Sequence, residues 1–285
     1  MPNPSSTAGK VSSRVRTERT AMSASDFQSE MFHLEGASEH AKMLIYGNNN
    51  SGKTRLAGTA PGKTLWFVGE PGYKSAARAG ATGHGRRITD PAAAWAAVEW
   101  LEQKNRYERY DWLIVDGFTT MNTKFRLGYT AEAFDINPSS RAHRNLPDKP
   151  DYFNTQNLIT AWVAKLVDLP INLLITCHAW RTEKTDVDLL VYPGIQGKVA
   201  DTASAIVGLM DATGYLQVKR VRSRQDPNKS RLIRRLHFET PDMGKDGDDV
   251  QYLVGDKFDC LGPYVDNATI PKLLAKIEGT EDSNA

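Results

Sequence analysis

The residues best suited to chemistry form one short run, Gly47-Asn48-Asn49-Asn50-Ser51-Gly52-Lys53-Thr54, which follows the apolar segment Met43-Leu-Ile-Tyr46. The spacing GxxxxGK[ST] has a physical cause. Gly47 and Gly52 let the backbone fold tightly enough for successive N–H groups to face phosphate oxygens. A helix beginning near Lys53 adds its positive end. Lys53 supplies a point charge for the β- and γ-phosphates, and the Thr54 hydroxyl is a ligand for Mg²⁺. ATP and Mg²⁺ are therefore the expected ligands, with all eight positions from Gly47 to Thr54 around the phosphates. A second lysine-threonine pair, in Pro61-Gly62-Lys63-Thr64, lacks the upstream glycine and precedes a strand, so it reads as a turn.

Three more polar residues end apolar runs. Trp112-Leu-Ile-Val-Asp116 has the form of a buried strand that delivers a carboxylate beside Mg²⁺. Thr64-Leu-Trp-Phe-Val-Gly-Glu70 ends in an acid that could orient and deprotonate a water, provided its strand lies beyond the Asp116 strand. Leu173-Leu-Ile-Thr-Cys-His178 closes at the same edge with an imidazole able to bond the γ-phosphate or that water, whereas the adjacent Cys177 reads as packing. Each has a plainer alternative. Asp116 could cap a turn, Glu70 could sit on the surface in Gly69-Glu70-Pro71-Gly72, and His178 could be structural.

Positioning these groups requires an α/β fold, a mostly parallel sheet flanked by helices. The candidate strands Met43–Tyr46, Leu65–Val68, Trp112–Val115 and Asn172–Thr176 are short and apolar, as doubly buried strands should be. Asp90-Pro91 starts a helix with Trp95, Val98 and Leu101 on one face. A second helix, from about Thr155 to Asp168, carries the stripe Leu158, Ile159, Trp162, Val163 and Leu166 before Pro170. Gly214–Val221 and Arg231–Phe238, joined through Asp226-Pro227-Asn228, form an antiparallel extension. A last helix, about Pro271–Glu278, presents Leu273, Leu274 and Ile277 and stops at Gly279.

Composition sets the limits. The chain has 285 residues, 40% of them hydrophobic, which is enough for one elaborated domain over residues 39–279. Residues 1–38 are rich in Ser, Thr, Ala, Pro and charge and are expected to be disordered or loosely docked, with a frayed acidic tail over 280–285. No run approaches the roughly 20 apolar residues of a membrane helix, and the N-terminus lacks an apolar signal core, so a cytoplasmic protein with no membrane partner is expected. Two cysteines without paired spacing argue against a disulfide framework or structural zinc. Net charge is only +2, yet Lys219 to Arg235 holds eight basic residues against Asp226 alone. That cluster is a solvated hairpin, a nucleic-acid or phosphate contact, or a cationic finger into a neighbour's site.

In order, the phosphate-loop strand and the strands ending in Glu70, Asp116 and His178 resemble the RecA-like P-loop NTPase core. More specifically they resemble the short RecA-like ATPases of bacteriophages that act in homologous recombination and single-strand annealing, over roughly residues 40–240. The resemblance implies that Glu70 is the catalytic base, Asp116 the Mg²⁺-side carboxylate and His178 the γ-phosphate sensor. RecA itself usually has glutamine there, so His178 is a departure. It also implies a DNA-binding loop from Arg181 to about Ala205, including Lys198, that leads into a helix. The long connection from Asn122 to Asp151, with Lys124, Arg126, Arg141 and Arg144, would take the place of the other DNA loop. Its basic side chains with Tyr129, Phe134 and Tyr152 would suit a single strand, a solvated insertion being the alternative. Gln217–Arg224 resembles the strand from which relatives send basic residues to the adjoining subunit's ATP, with Lys219, Arg220 and Arg222 as candidates.

The implied protein is an ATP-dependent, single-stranded-DNA-binding ATPase of phage recombination or annealing, assembled as a homo-oligomeric filament or ring. It would work in the host cytoplasm if phage-encoded, with a single-strand-binding protein as a further candidate partner. Two alternatives stay open, a replicative-helicase-type DNA motor and a nucleotide-gated DNA-binding mediator with negligible hydrolysis. DNA versus RNA preference is also open.

Overall fold

The computed structural model describes residues 40–140, 143–183, 189–197, 201–222, 230–241 and 250–280. Residues 1–39 and 281–285, Arg141, Lys198 and the turn Asp226-Pro227-Asn228 lie outside them. The first half alternates β1 (Lys42–Gly47), α1 (Lys53–Ala57), β2 (Thr64–Val68), α2 (Tyr73–Arg78), β3 (Gly83–Arg87), α3 (Pro91–Glu102), β4 (Trp112–Asp116), α4 (Phe118–Ile136) and α5 (Lys149–Asp168). The second half runs β5 (Asn172–Glu183), β6 (Leu189–Pro193), α6 (Asp201–Leu209), β7 (Ala212–Arg222), β8 (Ser230–His237), β9 (Val250–Tyr252), β10 (Gly255–Asp256), β11 (Tyr264–Asp266) and α7 (Ile270–Ile277).

The main sheet has the order β11-β8-β7-β1-β5-β4-β2-β3. Strands β1, β2, β3, β4 and β5 pair parallel, and β7 joins β1 parallel before β8 turns back against it. This is the α/β fold that the sequence pattern predicts, including its antiparallel extension. β2 lies beyond β4, the arrangement that brings Glu70 to the same edge as Asp116.

Alternate residues of each central strand enter different cores, which explains the unbroken apolar runs. Leu44, Tyr46, Phe67 and Val115 pack with Phe118, Ile159 and Trp162 under the α4 and α5 helices. Met43, Ile45, Trp66 and Ile114 pack with Leu56, Ala76 and Leu273 on the opposite face. Trp162 anchors the first core: it stacks on Phe118 at 6.2 Å, meets Phe125 edge-on at 5.6 Å, and donates its indole N–H to Ala94 O at 3.0 Å.

Three expectations need correction. Residues 122–151 are not a long loop, because α4 runs to Ile136 and α5 begins at Lys149. Weak periodicity hid α4, since its buried face mixes Met121 and Phe125 with the polar Asn122 and Thr130. α5 begins six residues before Thr155, where Asp148 and Asp151 form a capping box around Pro150. The segment after His178 is likewise not a loop at its start. β5 leaves the parallel sheet and pairs antiparallel with β6, Ala179 opposite Pro193 and Glu183 opposite Leu189. The edge strand β3, Gly-His-Gly-Arg-Arg, is fully exposed and carries no apolar signal.

Candidate nucleotide-hydrolysis site

At the carboxyl ends of β1, β2, β4 and β5 lies a cleft of about 650 Å³, lined by Lys53, Thr54, Glu70, His178 and Arg234 among others. Such a crevice at strand ends is the usual ligand position in open α/β sheets. Lys53, Arg55, Arg78 and Arg234 face it against one acid, Glu70. That balance favours a polyanion.

The loop joining β1 to α1 depends on Gly52, which holds φ +103°, a left-handed conformation that side chains resist. Asn50 is also left-handed, at φ 61°, a region that asparagine tolerates. Lys53 Nζ donates to Gly47 O at 3.0 Å and Asn48 O at 2.9 Å, so the ammonium is held at the loop's centre. Burial pushes its pKa down, opposed by Cys177, Glu70 and Asp116 nearby. α1 spans only five residues, so its dipole contributes less than the loop's own N–H groups.

Asp116 is 1% exposed. Thr54 Oγ1 lies 2.9 and 3.0 Å from its two carboxylate oxygens, and Thr176 Oγ1 donates to Oδ1 at 2.7 Å. Burial pushes the Asp116 pKa up, while the two threonine hydroxyls oppose the shift. A hydroxyl and a carboxylate side by side are hard oxygen donors, and they fit a Mg²⁺ that keeps most of its waters.

Glu70 sits across the cleft. Its Oε2 is 3.7 Å from His178 Nε2 and accepts from Thr120 Oγ1 at 3.1 Å. His178 holds the Glu70 carboxyl below its usual range; burial opposes it, and the Thr120 hydroxyl and Lys53 add smaller effects in the same downward direction. It is therefore ionised at neutral pH, as a base must be. His178 in turn donates its backbone N–H to Thr119 Oγ1 at 2.9 Å, and its Nδ1 is buried without a partner among the described residues. Buried Cys177 has its thiol pKa pushed up by desolvation, which makes it packing rather than a nucleophile.

The structure thus brings Gly47 to Thr54, Glu70, Asp116 and His178 to one edge. It places the basic candidates differently. Lys124 lies on α4 and donates to Gly69 O, clamping the turn that carries Glu70. Arg126 stacks over Tyr152 at 4.7 Å, and Arg144 pairs with Asp135 at 2.7 Å. Each of the three has a partner within the chain, that of Arg144 being a solvent-exposed surface pair. Lys219 and Arg220 stand exposed on β7, with Arg220 donating to Ser230 Oγ at 3.1 Å. Arg222 ends that strand.

Sequence reasoning missed Arg234 as a site residue. Its Nε donates to Ser51 O at 3.1 Å, so a cation from β8 reaches the phosphate loop within the same chain. Its only sequence signal was membership of the basic cluster. Thr176 and Thr120, which hold the two acids, were also unassigned. Both follow from adjacency to strand ends.

Fold and cleft together define a P-loop nucleoside-triphosphatase. The AAA domain family profile matches residues 39–244, more than half of the chain, and the chain belongs to that family. A comparison with curated proteins gave no match. No helix among the described residues is long and apolar enough to cross a membrane.

Proposed function

We propose that the protein is a Mg²⁺-dependent ATPase whose turnover is coupled to single-stranded DNA. The observation that carries the enzymatic part is the one cleft shared by Lys53, Thr54, Glu70 and His178, with Asp116 buried against the Thr54 hydroxyl. Glu70 takes the proton of a water that attacks the γ-phosphorus in line with the departing ADP oxygen. Lys53 stabilises the charge that builds on the phosphate oxygens. Thr54 and Asp116 would hold Mg²⁺, which neutralises β- and γ-phosphate charge when bound. His178, close to Glu70 and bonded through Thr119 to α4, orients the base and registers loss of the γ-phosphate.

Action on single-stranded DNA in phage recombination or annealing, as a filament or ring, is supported by the RecA-like strand order. The exposed cations of the β7–β8 hairpin add to it. With Lys124, Arg126 and Arg144 each partnered within the chain, Lys219, Arg220 and Arg231 become the favoured contacts for a DNA backbone or a neighbour's nucleotide. The test is phosphate release from ATP in Mg²⁺ or in EDTA, with and without an oligodeoxynucleotide, alongside particle mass by light scattering. Mg²⁺-dependent release that rises with DNA and assembly supports the reading. DNA-independent release from a monomer removes the coupling, and no release leaves a nucleotide-gated binder.

A further inference from the structure

The β7–β8 hairpin continues past the phosphate loop with a surface of mixed character. The Leu216 carbonyl abuts Gly47 so closely that a Cβ there would lie 2.5 Å from its oxygen. Val218 is the next residue on that face of β7, directly opposite Arg234 of β8, with Leu232 diagonal to it. Leu216 and Leu236 below them are 1% and 0% exposed, whereas Val218 and Leu232 are 41% and 58% exposed. The apolar face of the sheet therefore extends outward beside the cleft.

Arg234 is set in place from two directions. Its backbone N–H donates to Asn267 Oδ1 at 3.1 Å and its carbonyl accepts from Asn267 N–H at 2.6 Å. Its Nε is committed to Ser51 O, and a Cβ on Gly52 would lie 2.5 Å from that Nε. The terminal nitrogens have no acidic partner among the described residues.

Topology assigns this region an end of the ligand. Glu70 follows β2, Asp116 ends β4 and His178 lies within β5, all on one side of β1, while β7 and β8 lie on the other. A triphosphate whose terminal phosphate meets Glu70 and Asp116 directs its opposite end toward Arg234. We propose that Arg234, Val218 and Leu232 form the nucleoside subsite of this protein. The two aliphatic side chains take one face of a planar base, and the guanidinium lies against the base and its ribose. Guanidinium planes stack well on flat π systems, and an apolar wall with one fixed polar group is the ordinary make-up of such a pocket. This rests on the nucleotide-binding reading of the cleft.

The experiment compares calorimetric affinity for ATP and for inorganic tripolyphosphate, which has the phosphates without the nucleoside. The proteins are the unaltered chain, Arg234→Ala, and the doubly substituted Val218→Ser, Leu232→Ser, whose changes are exposed and uncharged. The double variant is expected to bind ATP about tenfold more weakly and tripolyphosphate within twofold of the unaltered chain, and Arg234→Ala to lose more affinity for ATP than for tripolyphosphate. Unchanged ATP affinity in the double variant, or equal losses for both ligands in Arg234→Ala, overturns the subsite. Failure of the unaltered chain to bind either ligand overturns the phosphate-loop reading itself.

Discussion

The two sides of β1 use charge in opposite ways. Toward β5, β4 and β2 the charged groups are held by neighbours: Asp116 by Thr54 and Thr176, Glu70 by Thr120 beside His178, and Lys53 by the loop carbonyls. Toward β7 and β8, Lys219, Arg220 and Arg231 stand exposed, Arg235 pairs with Asp266, and Arg234 reaches the phosphate loop. The first side is preorganised for chemistry, where fixed dipoles spare reorganisation during reaction. The second leaves its charge on the surface, where the proposed DNA or neighbouring-subunit contact would be made. Sequence charge alone does not separate the two uses: Lys124 looked like a DNA contact and clamps Gly69, while Arg234 looked like part of a surface cluster and touches Ser51.

The largest effect should come from the preorganised side. Lys53→Ala is expected to lower kcat/KM for ATP by at least about a hundredfold, measured as phosphate release, because it removes the charge at the loop's centre. A loss of tenfold or less would show that the loop's N–H groups and the arginines suffice.

Asp116→Asn should separate activity from stability. Burial raises the Asp116 pKa, so the folded chain binds this proton more tightly than the unfolded chain, and the carboxylate costs stability above its unfolded pKa. Without Mg²⁺ at pH 7 the amide variant is expected to unfold at the same or a higher temperature while losing turnover. A lower Tm would make Asp116 a structural residue whose hydrogen bonds outweigh its burial.

Lys124→Ala tests whether an apparent DNA contact serves the catalytic side. Freeing the turn at Gly69 should cut kcat by up to about tenfold through a misplaced Glu70, with KM for ATP and affinity for an oligodeoxynucleotide unchanged. Lower DNA affinity at constant kcat would return Lys124 to the nucleic-acid interface. On the other side, Lys219→Ala is expected to reduce the slope of log affinity against log salt by about 1 for a single-stranded oligonucleotide, with stability within about 0.5 kcal/mol. An unchanged slope would leave the hairpin to a neighbouring subunit.

The parallel half of the fold was legible because doubly buried strands must be apolar throughout and end abruptly in the group they deliver. Trp112 to Asp116 and Leu173 to His178 announce both strand and site. Legibility failed where burial and polarity mix. α4 buries Asn122 and Thr130 on its inner face, β3 buries none of its residues, and the outer half of β5 has partly exposed residues that a core pattern cannot flag. Arg234 was hidden for a different reason, because reaching Ser51 depends on β8 returning against β7, a tertiary pairing with no local signature.

The central claim is that Glu70 is the base rather than a bystander in its turn. Its depressed pKa keeps it ionised as pH falls, so loss of turnover through this group should set in only below the ordinary value of 4.5. The direct measurement is ATP binding and ATP hydrolysis side by side in Glu70→Gln, which keeps the shape and the Thr120 bond while removing the base. Binding within about threefold and hydrolysis slowed by about a hundredfold or more is the predicted result. Hydrolysis at the unaltered rate would contradict the account.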